Sequence, residues 1–398
     1  MKLMLKNKEF HLGCLAFFTI GMAVNIIFSL LPDIRDAFEL SYAEAGNVMV
    51  VLQIGFIISL IARTKLLEHL KMKKLLFVAV GAWLTGIGFI ILSANKYFLY
   101  AGIAFSGFSY GTFQNLLSAY IVMASERNTG KRVSLMNAFF GIGSITAPVM
   151  ASMALAIGNW RFGYVPIVIL ILILLSMVSH IQFLPVFETE NNTKESFSFG
   201  LTFICISLFV FVYPMTEFTA GSWFSEYWHV LGDEKIVPYS MVTAFFWLSF
   251  TIGRLIAGKI ADHIGSMSFM LGTTLLFMLI SAIWVKIDHP IVALGSLIGI
   301  GLTLAGMFPV FLIQAGEFFP KHIGTITSWF YFFLSVGGMT SQKFVGEMAE
   351  IYGIGVLPLI FLGSSVFLMM VLLFLSKERK RMVQKKNSMY SLDQDSCD

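Results

Sequence analysis

Twelve apolar stretches of about 20 residues each recur along the chain, and they limit its fold more than any other feature. A helix of that length crosses the hydrocarbon core of a bilayer, where only structures that satisfy their own backbone hydrogen bonds are stable. Charged residues make up only 13% of the chain and hydrophobic residues 57%. We therefore predict an all-α, polytopic membrane protein with twelve transmembrane helices. The predicted spans are 12–31, 43–62, 75–94, 98–122, 134–157, 163–184, 199–222, 239–257, 268–285, 291–314, 325–345 and 354–376.

The basic residues are divided unevenly between the two sides of this arrangement. If both termini share one side, the segments on that side hold 21 of the 27 Lys and Arg residues. Because Lys and Arg are enriched in cytoplasmic loops, both termini are predicted to lie in the cytoplasm, with the chain in a bacterial inner membrane. The net charge of +4 is therefore attributed to membrane orientation and not to nucleic-acid binding.

The longest polar interruption follows the sixth span and reads PVFETENNTKESF. It predicts an N-terminal bundle (1–184), a cytoplasmic linker (185–198), a C-terminal bundle (199–376) and a disordered cytoplasmic tail (377–398). An internal repeat supports two equivalent halves, because span five matches span eleven at an offset of 194 residues. The matched residues are Gly130, Ser134, Phe139, Gly143 and Thr146 in the first half and Gly324, Ser328, Phe333, Gly337 and Thr340 in the second.

The loop after span eight reads GRLIAGKIADHIG, and Gly258, Asp262 and Gly265 fit the signature G-x-x-x-D-[RK]-x-G. With two six-helix halves, the chain resembles the major facilitator superfamily over its whole length. The resemblance implies a substrate site between the halves, and a cytoplasmic gate latched by Asp262 with Arg254 or a neighbouring cation as its partner. Gly258 is expected to let helices approach closely, and Gly265 to permit the turn.

Span seven contains FVFVYPMTEFTAGSWFSEYW, in which Tyr213, Glu217, Gly221, Trp223 and Tyr227 are similar to the seventh helix of fucose-permease-like sugar transporters. That branch carries acidic residues in helices one and four. This chain has Asn25 near the first position and Gln114 with Asn115 near the second, so proton coupling through those carboxylates is not expected.

The candidate site residues are polar or aromatic side chains at membrane depth, where a polar group tends to face a cavity or a partner. Glu217 is the one carboxylate well inside a predicted span, which makes it a candidate for solute binding and proton coupling, with Pro214 expected to break the helix nearby. We find no Lys or Arg near the middle of a predicted span, so a neutral, zwitterionic or cationic solute is favoured over an anion. The other substrate-binding candidates are Asn25, Gln114, Asn115, Asn137, Tyr213, Trp223, Trp247, Trp329 and Tyr331, each of which could instead serve helix packing.

These features predict a secondary active transporter of a small polar solute, such as a sugar, nucleoside, other metabolite or metal chelate. Transport would proceed by alternating access with proton-coupled uptake. Efflux of drugs or metabolites is the alternative, favoured by the small residues of GIGSITAPVMAS in span five. The sequence has no phosphate loop, nucleophile elbow or metal-ligand cluster, so we expect no enzyme activity, cofactor or metal. The expected partners are the solute, membrane lipid and protons, with no nucleic acid, and the chain is expected to be a monomer.

Overall fold

The computed structural model describes residues 7–65, 70–124, 129–183, 200–319 and 323–395, and these contain helices and no strand. Long apolar segments without a helix breaker form most of them, since a helix satisfies its backbone groups within one segment. The helices are α1 (Asn7–Ser29), α2 (Leu31–Ala37), α3 (Tyr42–Lys65), α4 (Met72–Ile91), α5 (Lys96–Ala124), α6 (Thr129–Ala156), α7 (Val165–His180), α8 (Leu201–Ser222), α9 (Phe224–Leu231), α10 (Tyr239–Ile264), α11 (Ser266–Lys286), α12 (Pro290–Leu304), α13 (Met307–Phe318), α14 (Ile323–Tyr352) and α15 (Leu357–Asp395).

Ten segments of the described chain are long and apolar enough to cross a membrane, with α12 and α13 counted as one crossing. The more polar α5 and α14, with 29 and 30 residues, bring the number to the predicted twelve. Short helices α2 and α9 follow α1 and α8. An even number of crossings places both termini on one side, which we call the termini face; the opposite side is the far face.

Corresponding helices pack in the same way in the two halves. In the first half, α1 packs along α6 and α3 along α5; in the second, α8 packs along α14 and α10 along α12. The halves meet through α3 against α14 and α6 against α10. Helix α3 of the first half corresponds to α10 of the second, and α6 corresponds to α14. Replacing each helix by its counterpart therefore turns the contact of α3 with α14 into the contact of α10 with α6, which is the pattern expected for two bundles related by a pseudo-twofold axis.

Close helix crossings at glycine confirm this correspondence. Gly143 of α6 lies against the backbone carbonyl of Phe18 in α1, and Gly337 of α14 lies against that of Phe211 in α8. At both positions a Cβ would overlap the carbonyl oxygen, so only glycine fits without separating the helices. The positions 143 and 337 differ by the 194 residues of the sequence repeat.

Three features differ from the sequence prediction. Helix α8 continues through Pro214, and the break in a central helix instead lies at Ala305 and Gly306, between α12 and α13. Helix α15 continues to Asp395, whereas a disordered tail was predicted from 377. Its extension is rich in good helix formers and is tied by Arg379 to Glu317 of α13 at 2.9 Å. The predicted linker (185–198) lies outside the described residues.

The halves are held together on the far side of the membrane midplane. Between residues that the structure describes, the hydrogen bonds and ion pairs joining the halves lie at the far ends of their helices. Toward the termini face, Gly141 of α6 lies against Thr251 of α10. One turn beyond it, the side chains of Asn137 and Arg254 are exposed. Among the described residues, the structure is therefore closed at the far face and open toward the termini face.

Candidate functional site

A carboxylate, a hydroxyl and a guanidinium meet inside the C-terminal half. Tyr213 and Glu217 lie one turn apart on the same face of α8, and the Tyr213 side chain interacts with both Glu217 and Arg254 of α10. Arg254 is also an electrostatic partner of Glu217. The cluster therefore combines one group of each charge with a neutral donor.

The break between α12 and α13 supports this cluster from behind. The Tyr213 hydroxyl donates to the Leu304 carbonyl at 3.2 Å, and Arg254 Nε lies 3.4 Å from the Ala305 carbonyl. The Arg254 guanidinium also lies 4.5 Å from the centre of the Phe250 ring. Both carbonyls are near the point where the helix is interrupted, so the site residues bond to backbone groups that an unbroken helix would use itself.

The position of Arg254 corrects the expectation that no cation lies near the middle of a span. The sequence interpretation ended this span at residue 257, which put Arg254 close to its end. The helix runs from Tyr239 to Ile264, so Arg254 lies only slightly beyond its midpoint. Because polar and charged residues also form helix readily, hydropathy alone misplaced the boundary.

The N-terminal half contributes groups on the opposite side of the site. Tyr110 of α5 is close enough for Glu217 to act on it electrostatically. Gln114 lies one turn further along the same face, and its side-chain oxygen is buried without a hydrogen-bond partner. Glu217 therefore lies between the two halves, and Gln114 offers a free acceptor on the side facing it.

Trp247 covers the far side of the site. Its ring packs against Gly221, one turn beyond Glu217 on α8, and makes an edge contact with Phe140 of α6 across the boundary between the halves. The indole N–H of Trp247 is buried without a hydrogen-bond partner. A buried indole N–H normally finds a partner, so this donor is available to a solute.

Asn25 joins two helices and also keeps a free hydrogen-bond acceptor. Its amide nitrogen donates to the Gly21 carbonyl at 2.8 Å and to the Ser144 hydroxyl at 3.0 Å, which joins α1 to α6. Its side-chain oxygen is buried without a partner. The amide nitrogen therefore holds the side chain in place, and the amide oxygen stays available as a hydrogen-bond acceptor.

The remaining sequence candidates are not assembled with this cluster. Asn115 donates to the Gly111 carbonyl at 2.7 Å and lines a small cavity within the N-terminal half. Asn137 is exposed in the opening on the termini side, Trp223 is fully buried at the far end of α8, and Trp329 packs on Phe203 within the C-terminal half. Tyr331 belongs to α14, but its side chain lies outside the described part of the structure.

The motif residues Gly258, Asp262 and Gly265 lie in the last turns of α10 and at its end, and all three are exposed. Gly265 has a φ of 87°, which favours glycine, so it permits the predicted turn into α11. A Cβ on Gly258 would meet open space, so close packing does not require this glycine here. Arg254 is directed toward the site described above and not toward Asp262. A gating role for Asp262 therefore stays a prediction.

Sequence reasoning missed Tyr110 and the central role of Arg254. Tyr110 stands four residues before Gln114, so helical spacing could have linked the two, whereas the direction of the Arg254 side chain has no local signal. A cavity of about 400 Å³ lies elsewhere, between α8, α14 and α15. Its walls are almost wholly apolar, so we do not assign it to a polar solute.

Comparison with known proteins agrees with this architecture. The Major Facilitator Superfamily profile matches residues 13–342. The glucose/mannose transporter GlcP of Bacillus subtilis is 22% identical over 350 residues, which cover 84% of this chain and 86% of GlcP. A D-xylose-proton symporter shares the fold with a TM-score of 0.74 and 16% identity, over 92% of this chain and 96% of its own.

The major facilitator transporter FucP in its outward conformation also shares the fold, with 16% identity over 92% of this chain and 98% of FucP. Its TM-score is 0.62. The family profile covers more than three quarters of the chain, so the resemblance seen in its loop motif and in span seven is confirmed. The chain belongs to the Major Facilitator Superfamily, and it is a transporter and not an enzyme.

Proposed function

We propose that this transporter takes up a small polar solute of the sugar type by alternating access, driven by a proton gradient. One observation carries the proposal: Glu217 has Arg254 as its electrostatic partner in its own half and acts on Tyr110 of the other half, and Gln114, one turn from Tyr110, keeps a buried acceptor without a hydrogen-bond partner. A polyol needs donors and acceptors on several sides, and it needs an aromatic face to stack on. Gln114 and Asn25 offer free acceptors in the N-terminal half, and Trp247, which packs one turn beyond Glu217, offers a free donor and an aromatic face.

The charge balance of the site favours a solute without net charge. Glu217 and Arg254 carry opposite charges and act on each other electrostatically, so an ion entering the site would leave one charge unbalanced. A sugar can instead bond to both groups, because carboxylate oxygens accept from hydroxyls and the guanidinium donates to them. The names of the matched relatives, which include a glucose/mannose transporter and a D-xylose-proton symporter, point the same way.

Alternating access would open the far face while the termini face closes. The site lies where α6 and α10 cross, and the described contacts between the halves lie beyond it, toward the far face. Breaking those contacts lets the halves rock around the site, and the solute is then exposed to one side at a time. With the termini in the cytoplasm, as the basic residues indicate, the far face is the outer surface of the inner membrane.

Glu217 is the proposed proton carrier of the site. Arg254 stabilises its ionised form, and a proton on Glu217 would release Arg254 to bind the solute. This gives the solute and the proton a shared site, which is what coupling of their movements requires.

Transport by the purified protein in proteoliposomes tests both parts of the proposal. Radiolabelled hexoses, pentoses and nucleosides are supplied with an acid exterior and, separately, in exchange without a gradient. We expect the acid gradient to accelerate uptake of a sugar, and Glu217→Gln to lose that acceleration while it keeps exchange. Glu347→Gln, at an exposed position on α14, is the matched control and should behave like the wild type.

Two results would contradict the proposal. If Glu217→Gln keeps the full stimulation by the acid gradient, Glu217 is not the proton carrier. If the wild type moves amphipathic drugs out of inverted vesicles and moves no sugar in either assay, the efflux alternative is correct.

A further inference from the structure

Buried charged groups join the two halves at the far face, away from the Glu217 site. Arg35 of α2 lies 2.8 Å from Glu226 of α9, and Tyr239 of α10 donates to Asp33 of α2 at 2.9 Å. The carboxylate of Glu350 accepts from the backbone N–H of Tyr42 at 2.8 Å, again across the halves. Each of these contacts must break before the far face opens.

Glu226 is the most deeply buried carboxylate of this far gate, by which we mean Asp33, Arg35, Glu226 and Tyr239. Its side chain is 0% exposed, and neither oxygen has an aligned hydrogen-bond partner. Arg35 is close enough for an ion pair, but its Nε–H is not directed at the nearby oxygen. A buried carboxylate usually receives several hydrogen bonds, so the ionised form of Glu226 is poorly stabilised here.

Closing the far gate also brings acidic groups together. Glu226 faces Arg35 and Asp36 of α2, Tyr42 of α3 and His229 of its own helix. Around Asp33 lie Tyr239 of α10, His229 of α9 and Asp36. His229 is further paired with Glu234 at 3.1 Å. With Glu350, which contacts Tyr42, the charged groups that meet on closure are therefore five carboxylates, one arginine and one histidine.

Burial raises the pKa of Glu226 above its ordinary value, and the nearby Arg35 offsets this only in part. Burial likewise raises the pKa of Asp33, although the hydrogen bond from Tyr239 opposes the change. When the gate opens, water reaches both carboxylates and their pKa values return toward the ordinary range. A group with a higher pKa in the closed state binds its proton more tightly there, so proton binding favours closure.

We propose that Glu226 is a second proton-binding site, distinct from Glu217, which takes up a proton from the far side as the far gate closes. The proposal goes beyond the transport function above and requires no particular solute. Acidification on the far side then drives the step from the outward-open to the inward-open state. That is the direction in which an uptake carrier must move after loading.

The size of the effect follows from proton linkage. For one linked proton, the ratio of closed to open protein falls by up to about tenfold for each unit of pH increase, between the open-state and closed-state pKa values. Above the closed-state pKa the ratio is constant, because both states are then ionised. Asp33 adds a smaller dependence of the same sign.

Distances between spin labels measure the gate directly and need no solute. Labels at exposed Ala37 and Val230 report on the two sides of the gate, in a chain whose three cysteines are replaced by serine, reconstituted in nanodiscs from pH 5 to 9. We expect the closed fraction of the parent chain to fall as pH rises. Glu226→Gln should stay mostly closed and lose most of this slope, and Asp33→Asn with Glu226→Gln should lose the rest.

Two further variants keep the test decisive if Glu226→Gln does not fold. Arg35→Gln removes the cation beside Glu226, so the pKa of Glu226 in the closed state should rise further. The closed fraction should therefore go on falling to higher pH, and fewer molecules should be closed at pH 9 than in the parent chain. Glu347→Gln removes an exposed carboxylate of α14 that is not part of the far gate and should leave the slope unchanged. An unchanged slope in Glu226→Gln, a parent chain without a slope, or closure that increases with pH would overturn the proposal. None of these results bears on whether Glu217 couples solute transport.

Discussion

The close crossing of α1 and α6 at Gly143 gives a quantitative test of the helix packing. A Cβ at this position would overlap the Phe18 carbonyl oxygen and would lie 3.0 Å from the Met22 nitrogen. Ordinary contacts of this kind are about 3.4–4 Å, so relieving the overlap with the Phe18 carbonyl oxygen in Gly143→Ala must separate the two helices by about 1 Å. A gap of about 0.5–1 Å loses a quarter to a half of the dispersion energy of each contact it affects.

The expected loss of stability combines three contributions. Overpacking costs about 1–3 kcal/mol, and weakening of the Asn25 to Ser144 hydrogen bond at the same interface costs about 1 kcal/mol more. Alanine recovers about 0.5–1 kcal/mol through its higher helix propensity. The net loss is about 1–3 kcal/mol, which for a chain of this length lowers the melting temperature by roughly 1–4 °C.

Thermal unfolding in detergent, followed by intrinsic fluorescence, measures this change. Gly337→Ala should cause a similar loss, because Gly337 meets the Phe211 carbonyl in the corresponding place. Gly272→Ala is the matched control: a Cβ there meets open space, so its melting temperature should be unchanged or slightly higher. If all three variants melt alike, or if only one of the two crossing glycines matters, the proposed equivalence of the halves is refuted.

Three further predictions concern the site and its access. Trp247→Phe keeps an aromatic ring but removes the free indole N–H, so the KM for the solute should rise by about 2–12-fold in transport assays, while Trp329→Phe should leave KM unchanged. A cysteine at Asn137 should react with an impermeant maleimide added on the termini side, and a cysteine at Ser29 should not react from the far side; the opposite pattern would show a chain open at the far face. Gly265→Ala forces an alanine to a φ of 87° and should cost about 1–2 kcal/mol of stability, seen as a lower melting temperature.

Much of the fold was predictable because its signals are local. Each crossing helix is marked by its own run of apolar residues, and the glycines of α6 and α14 show the repeat at a fixed spacing. Glu217 was also predictable, since a carboxylate within an apolar run is costly unless it has a partner or a cavity. Its helix-mate Tyr213 follows from the same helical spacing.

The partners of those residues were less predictable. Arg254 was assigned to a loop motif because hydropathy ended its helix too early, and it was matched with Asp262 only through family resemblance. Glu226 lies nine residues after Glu217 in the same aromatic segment, yet the first meets Arg254 and the second meets Arg35. Nothing local distinguishes the two carboxylates, because the difference lies in which helix from a distant part of the chain packs against each.

The sequence by itself determined the number of crossings, their division into two related halves, the family and one central carboxylate, because hydrophobicity, spacing and motif are properties of contiguous residues. The tertiary structure alone decided which face of each helix turns inward, that the interruption lies at Ala305 and Gly306, and that the far face is closed by buried charges. These depend on the rotation and separation of helices whose contacting residues are up to 308 positions apart, set by close crossings such as those at Gly143 and Gly337. A change of about 100° in the rotation of one helix, the angle between successive residues, would replace every side chain that this helix contributes to the site.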